Sequence, residues 1–306
     1  MANEIYYSGL GDQRLSAILA MEIDLLLADR ESLWMHPSLV YHGDISGTGS
    51  TTTQAVQVGL DGYDEMASIA ENASTSNTAL SDASATPTVA RQALQYQYSD
   101  LAALTDSLGV IDPVRLAASM VGSARMRFMS MITALHAGFS QSAGSTGVDM
   151  SVDDFFDAQI TLDLQSVSGE RMMVLHPRQW GDLQQDLRSE LGAIGFSPAT
   201  AEMLAKWGPG AKGRLLGTDI FASSKVATAN GGADRDGLLF ARGAIVWADA
   251  TQRPIYGAGG VITPGGKITV EFERDAAGAL TKVVGNYFVG VAEGQDLMGC
   301  RIVTDA

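Results

Sequence analysis

The longest regular pattern in the chain covers residues 112–138, where apolar residues recur at alternating spacings of three and four. This spacing places them on one face of an α-helix, at Val114, Ala117, Val121, Ala124, Phe128, Met131 and Leu135. Asp112 followed by Pro113 is a typical helix start, and Gly138 is a typical helix end. The pattern predicts one long helix along which other elements pack. The alternative is an ordinary buried helix of an α/β protein.

Residues 44–87 are rich in Ser, Thr, Gly and Ala and hold too few bulky residues to bury much surface. Alternating patterns bracket their central part, with Val56, Val58 and Leu60 on one side and Leu94, Tyr96 and Tyr98 on the other. Alternation with a period of two indicates half-buried strands. The patterns predict two strands paired in a projecting hairpin that packs on another subunit. A long surface loop is the alternative.

The remaining elements follow the same two periods. Residues 13–30 form an amphipathic helical pattern with one mostly apolar face, made of Leu15, Ile18, Leu19, Glu22, Leu25 and Leu26. A further helix is predicted from Ser151, its cap, and another from Pro177, directly after an apolar strand at Met172–Leu175. Strand patterns dominate beyond residue 211, with a hairpin turn at Asp275–Gly278.

Composition narrows the class of protein. The 306 residues are 46% hydrophobic and 18% charged, which is typical of a folded domain. A net charge of −15 argues against a general nucleic-acid-binding surface, although it does not exclude a container for nucleic acid. Cys300 is the only cysteine, so an intrachain disulfide is excluded. The sequence predicts no signal peptide, no membrane span and a cytoplasm-like setting.

A search for catalytic motifs finds no nucleophile elbow, no phosphate-binding loop and no zinc spacing among the four histidines. His176 is the best catalytic candidate because it follows a strand, but no partner is evident in the sequence. Asp153, Asp154 and Asp157 are interpreted as charges at a helix start. We therefore expect no catalytic residue, cofactor or metal, and the enzyme alternative depends on His176.

The order of the predicted parts resembles the major capsid proteins of tailed bacteriophages, with the Hong Kong 97-like fold. Residues 86–113 (TPTVARQALQYQYSDLAALTDSLGVIDP) are similar to the strand that returns from the family's extended loop into its spine helix. Residues 172–188 (MMVLHPRQWGDLQQDLR) are similar to its axial strand–helix unit, and residues 215–226 (LLGTDIFASSKV) to the strand that follows.

The resemblance implies an α+β fold of five parts. These are an N-terminal arm with an amphipathic helix (1–36), an extended hairpin loop (37–99), a peripheral domain with the spine helix (100–144), an axial domain (145–255) and a β-rich return to the peripheral domain (256–306). It also implies subunit contacts through the hairpin strands. The candidate interface residues are Val56, Val58, Arg91, Leu94, Tyr96 and Tyr98.

By the same resemblance, the chain would assemble through pentamers and hexamers into an icosahedral virion shell in the host cytoplasm. Its partners would be other copies, a portal, DNA bound without sequence specificity and possible decoration proteins, with no membrane. Residues 1–205 contain no lysine, so we expect no covalent cross-link through the extended loop. Only about 35 residues precede the hairpin, which implies a separate scaffolding protein. An encapsulin-like compartment and a cytoplasmic α/β enzyme are the alternatives.

Overall fold

A computed structural model describes most of the chain. The described residues are 36–46, 51, 56–60, 66, 68, 69, 71, 74, 75, 82–106, 113–165, 167, 169–190, 196–207, 210–251, 261–265 and 268–305. The predicted arm and the amphipathic helix at 13–30 lie outside the described residues, as does most of the polar stretch between residues 61 and 81.

The described residues form five α-helices and sixteen strands. The helices are α1 (Asp100–Thr105), α2 (Pro113–Ala134), α3 (Val152–Leu164), α4 (Pro177–Glu190) and α5 (Ala201–Trp207). The first eight strands are β1 (Leu39–Asp44), β2 (Val56–Leu60), β3 (Asp82–Ala85), β4 (Ala90–Ser99), β5 (Ser142–Ala143), β6 (Arg171–Leu175), β7 (Phe196–Pro198) and β8 (Ala211–Leu215). The others are β9 (Thr218–Ala222), β10 (Ala227–Ala229), β11 (Asp234–Ala241), β12 (Ile245–Ala250), β13 (Val261–Gly265), β14 (Ile268–Asp275), β15 (Leu280–Glu293) and β16 (Gly299–Asp305).

The long helix predicted at 112–138 is confirmed from Pro113 onward, whereas its predicted cap, Asp112, lies outside the described residues. The α-helix α2 continues into a 3₁₀ turn at Leu135–Ala137, and Gly138 closes that turn with its backbone N–H bonded to Leu135. The predicted stripe is largely its buried side, since Ala117, Val121 and Phe128 are buried. Val114, in the first turn of the helix, is by contrast 45% exposed.

Six strands form a sheet around the long strand β15, in the order β1-β12-β15-β14-β13 with β4 also paired to β15. β4 and β12 both pair with Phe288 and Val289, so they lie on opposite edges of β15. β14 and β15 form the predicted hairpin, with the Asp275 side chain accepting from the turn N–H groups of Ala277 and Gly278 at 3.1 Å. α2 packs against this sheet, where Phe128 meets Trp247 edge to face with ring centroids 5.4 Å apart.

Eight strands form the second sheet, in the order β5-β16-β11-β6-β9-β8-β7 with β10 on β11. Side chains of β6 alternate between two cores. Met172 and Val174 face the core that contains α2, whereas Met173 and Leu175 face the core beneath α3 and α4. A strand buried on both faces has no polar face, which accounts for its unbroken apolar sequence.

The predicted starts of α3 and α4 are confirmed. Ser151 and Asp154 form a reciprocal capping box at the start of α3, and Asp153 also lies in the first turn, so these two carboxylates are helix-start charges as expected. Asp157 lies beyond the first turn. In α4, Trp180, Leu183 and Leu187 share the buried face. The lone cysteine, Cys300, is a buried core residue in β16.

The predicted pairing of the projecting hairpin is wrong. β2 pairs with β3, with Leu60 opposite Asp82, whereas the strand that carries Leu94, Tyr96 and Tyr98 is β4 and pairs along its whole length with β15. The alternation along β4 therefore reflects a place in the six-stranded sheet. The last strand, β16, lies in the eight-stranded sheet beside β11, away from the strands of the β14–β15 hairpin.

Candidate assembly surface

The hairpin β2–β3 is the part of the described chain that is least attached to the rest. Among the described residues, its two strands pair only with each other and belong to neither large sheet. Val56 and Val58, two of the predicted interface residues, lie in β2. An isolated two-stranded hairpin is marginally stable in water. The hairpin therefore depends on contacts beyond its own ladder.

The four predicted interface residues of β4 lie on its two opposite faces. Leu94, Tyr96 and Tyr98 are half-buried and pack against the core that contains α2, and the Tyr96 hydroxyl is hydrogen-bonded to Ser119 of that helix. Arg91 lies on the exposed face and donates from Nε to Asn286 Oδ1 at 2.7 Å. The structure thus brings three of these residues together on a core-facing side and separates Arg91 from them.

The short helix α1 exposes two leucines to solvent. Its six residues are all described and none is buried, with Leu101 71% and Leu104 84% exposed. Ser99 caps the helix, its Oγ accepting from Ala102 N at 3.2 Å, and Arg274 pairs with Asp100 at the surface. A helix of one and a half turns is not stable by itself. Sequence reasoning passed over this surface because two leucines in six residues give no periodic signal.

A shallow cavity of about 600 Å³ lies between α1, the end of β4 and the start of α2, with Tyr98, Ala102 and Leu116 among its lining residues. The exposed leucines and this cavity together form what we call the α1 surface. It combines two exposed apolar side chains with a neighbouring cavity lined by both apolar and polar residues. Exposed apolar residues that cluster on a folded subunit are typical of protein–protein contacts.

The catalytic alternative finds little support at His176. The ring Nδ1 lies 3.4 Å from the backbone N–H of Arg178, and the pKa of His176 is lowered by burial and by the charges of Arg235 and Arg178. Those neighbours favour a neutral ring, but they are cations, whereas a catalytic histidine is usually oriented by a carboxylate. Burial raises the pKa of the Cys300 thiol to about 12, which makes it a poor nucleophile.

Two buried carboxylates have partners that sequence reasoning missed. Asp219 accepts from Arg214 Nε at 2.7 Å and lies 3.2 Å from His36 Nε2. Asp236 accepts from Arg301 Nε at 2.8 Å and lies 3.0 Å from His136 Nε2. Each group joins segments that are remote in the sequence, so no local motif could have revealed it.

Two further searches of the described part of the chain give negative results. No group of three or more His, Cys, Asp or Glu side chains there is arranged to hold a metal ion. No helix in those residues is long and apolar enough to cross a membrane.

The solved structures that match this fold include shell-forming proteins, namely phage capsids and an encapsulin. A chain of the capsid of Ralstonia phage GP4 matches with a TM-score of 0.57 and 10% identity, over 90% of this chain and 92% of that chain. The capsid of cyanophage P-SCSP1u matches with a TM-score of 0.54 and 13% identity, over 90% and 89% of the two chains. The holo-SrpI encapsulin complex from Synechococcus elongatus PCC 7942 matches with a TM-score of 0.51 and 14% identity, over 89% and 86%.

No family model matches the sequence, and no curated protein matches it. The likeness therefore lies in the fold, which is preserved where sequence identity is not. The chain has the Hong Kong 97-like α+β fold of phage capsid proteins, a fold that it shares with an encapsulin.

Proposed function

We propose that the chain is the major capsid protein of a tailed bacteriophage, a structural protein without enzymatic activity. Copies of it assemble through pentamers and hexamers into an icosahedral shell around the phage genome. The proposal rests on how much of each chain the structural match includes. The similarity to the capsid of phage GP4 extends over 90% of this chain and 92% of that one. A match of nearly two whole chains supports the role of a whole shell subunit.

The proposal assigns the subunit contacts to two surfaces. The first is the hairpin with Val56 and Val58 together with the exposed face of β4, where Arg91 lies. The second is the α1 surface, whose leucines gain burial only if another copy covers them. Leu94, Tyr96 and Tyr98 contribute from the core side, by fixing β4 on α2.

The proposal also keeps the five parts that the resemblance implies. They are the arm (1–36), the extended loop (37–99), the peripheral domain (100–144), the axial domain (145–255) and the β-rich return (256–306). The position of β2–β3 outside both sheets supports an extended loop whose projecting portion is shorter than 37–99, since β1 and β4 lie in the six-stranded sheet.

The partners proposed are other copies of the chain, a separate scaffolding protein, a portal and possible decoration proteins. Packaged DNA is enclosed without sequence-specific binding, which is consistent with a net charge of −15. The subunit is located in the host cytoplasm during assembly and in the virion capsid afterwards.

Negative-stain electron microscopy of the purified protein, expressed alone and together with a candidate scaffolding protein, tests the proposal. We expect closed shells or rings of five and six subunits in at least one preparation. Monomers or dimers in both preparations would contradict it. His176→Ala serves as a control, because assembly should survive the change whereas an enzyme that uses His176 should lose its activity.

The match to the holo-SrpI encapsulin complex supports a second candidate, a protein compartment. The same preparations separate the two. A compartment is expected to close without a scaffolding protein and to enclose a protein, whereas a phage capsid is expected to need its scaffolding protein for uniform shells.

A further inference from the structure

Helix α3 carries a second apolar stripe that its own core uses only in part. Phe155, Ala158 and Leu162 are buried in the core, and Phe156 is half-buried against it. Ile160 and Leu164 continue from Phe156 at a spacing of four. Ile160 is 50% and Leu164 is 77% exposed. A helix that packs on one side normally presents polar residues on the others. The second stripe therefore forms an apolar surface that the described residues leave open.

Phe156 and Ile160 line one wall of a groove of about 480 Å³, and Leu216 and Gly217 in the turn between β8 and β9 line the other wall. Leu164 lies one helical turn beyond Ile160. The polar groups in the groove are already satisfied within the chain. Arg171 binds both Gln159 and Asp163, and it donates to the carbonyl oxygen of Val167 at 2.9 Å. What remains for an occupant is apolar contact with Phe156, Ile160 and Leu216.

Leu216 in that turn gives an independent indication of an occupant. Its φ is +46° and it is 56% exposed, and Gly217 follows with φ +86°. Two-residue turns of this kind favour Asn or Gly at the first position, because a side chain with a bulky Cβ is strained at positive φ. Leucine is not favoured at positive φ, and the Leu216 side chain is not buried by the described residues. A contact with another segment would account for a leucine at this position.

The position of residue 36 indicates what lies in the groove. His36 is held by Asp219 of β9, at 3.2 Å, two residues beyond Gly217. Ser38 Oγ donates to the backbone carbonyl of Glu170 at 2.8 Å, and both neighbours of Glu170 in sequence line the groove. The chain that precedes residue 36 therefore starts at the edge of the groove.

The segment directly upstream has the matching chemistry. Residues 13–30 carry an amphipathic helical pattern with a mostly apolar face, made of Leu15, Ile18, Leu19, Glu22, Leu25 and Leu26. Only five residues separate this segment from His36, and five extended residues span at most about 17 Å. The end of this segment can therefore reach the edge of the groove, so its apolar residues and the exposed side chains of Ile160 and Leu216 are joined by a short length of chain.

We propose that residues 13–30 dock through their apolar face in this groove of the same chain. The contact covers Ile160, Leu164 and Leu216 and fixes the N-terminal segment on the eight-stranded sheet. The proposal concerns one subunit and does not depend on shell formation, so it is tested on the soluble full-length chain.

The first test is a site-specific photocross-link. The variant Leu164→p-benzoylphenylalanine is prepared as a mixture of ¹⁵N-labelled and unlabelled subunits, irradiated, digested and mapped by mass spectrometry. We expect cross-links from position 164 to residues 13–30 with both peptides carrying the same label. Pairs with one labelled and one unlabelled peptide would show that residues 13–30 of another copy occupy the groove, and they would overturn the proposal. Cross-links to other segments, or none, would also overturn the proposal. Leu104→p-benzoylphenylalanine, at an equally exposed leucine of α1, is the matched control.

The second test removes the apolar contact without disturbing the fold. Leu216→Asn places a residue that tolerates positive φ in the turn, and Ile160→Gln changes an exposed helix position. Each variant should have the same unfolding temperature as the parent chain. The rate of amide hydrogen exchange in residues 13–30 should rise about tenfold in both. Leu104→Gln should leave that exchange unchanged. Unaltered exchange in both groove variants would refute the docking.

Discussion

At the scale of single residues, two buried carboxylates connect segments that the sequence keeps far apart. Asp219 and Asp236, each 1% exposed, both accept from an arginine and both lie next to a histidine. A buried charge is tolerated only when such partners replace its lost hydration. Removing the carboxylate would leave an arginine and a histidine without their acceptor. A single substitution at either aspartate is therefore expected to lower the free energy of unfolding markedly.

Asp219 makes the pH dependence of stability predictable in sign. Burial alone would raise its pKa, but the hydrogen bonds from His36 and Arg214 outweigh it, and the pKa lies below its ordinary value. The carboxylate therefore stabilises the fold at pH values above the pKa of an aspartate in the unfolded chain. This contribution disappears as the pH falls towards the lower pKa of the folded state. Asp219→Asn should cost about 2 kcal/mol in urea unfolding at neutral pH, and it should flatten the loss of stability in acid.

Asp100 provides the control for that experiment. Its pKa is also lowered, chiefly by Arg274, but the pair lies at the surface where water screens it. Asp100→Asn is therefore expected to leave the unfolding free energy and its acid dependence close to those of the parent chain. An equal effect of the two changes would contradict the role assigned to Asp219.

The buried thiol of Cys300 is expected to be unreactive in the folded chain. It is fully buried in the core beneath α3 and α4, and its pKa is raised to about 12 because burial disfavours the thiolate. Since the thiolate is the reactive form, the folded chain should react with an aromatic disulfide reagent only through unfolding. The rate should rise to that of a free thiol in denaturant. Rapid labelling of the folded chain would disprove the burial.

At the scale of elements, local signals decide where helices begin. The capping box of α3 has Ser151 Oγ accepting from Asp154 N at 3.1 Å, with the Asp154 carboxylate accepting in return from Ser151 N at 2.9 Å. Ser151→Ala should destabilise the subunit by about 1 kcal/mol, as measured by thermal or urea unfolding. Ser224→Ala, at an exposed turn position after β9, should have no measurable effect.

Strand pairing, in contrast, is not encoded by local signals. The alternating pattern at Leu94, Tyr96 and Tyr98 correctly predicts a half-buried strand, but it carries no information on which strand lies beside it. β4 pairs with β15, whose residues follow some 190 positions later in the chain. The nearer candidate, β2, pairs instead with β3, whose sequence DASA is too short and polar to predict a strand.

At the scale of the whole molecule, the loop that joins β2 and β3 can be removed without touching either sheet. Leu60 and Asp82 are paired, so an Asn-Gly turn can replace residues 61–81 and close the hairpin. The shortened subunit should be soluble with an unchanged unfolding temperature but should fail to form closed shells in electron micrographs. Normal shells from it would refute the assembly role of this loop.

The exposed leucines of α1 give a second test at this scale. Leu101→Gln combined with Leu104→Gln should lower shell yield severely and leave the subunit's stability unchanged, because neither side chain is buried in the subunit. Leu204→Gln, at an exposed leucine of α5 that lies in neither proposed contact, is the matched control for general solubility effects. Equal shell yields from the two variants would remove α1 from the proposed interface.

Local sequence patterns correctly predicted the long helix, the capped helices and most strands of the second half, and they contain no catalytic motif. Each of these depends on residues that are close in sequence: an apolar spacing of three and four, a Ser with an Asp three positions later, or an apolar run before a proline. The resemblance carried by residues 86–113, 172–188 and 215–226 likewise depended on the order of such local units.

Three features depend on the folded chain as a whole: which strands pair, which carboxylates are buried with an arginine and a histidine, and which apolar residues stay exposed. His36 and Asp219 are 183 positions apart, and Leu101 and Phe128 are equally hydrophobic in the sequence although one is exposed and the other buried. Burial and pairing result from the packing of distant segments. Periodicity therefore predicts the elements, whereas the surfaces available to other copies appear only in the folded chain.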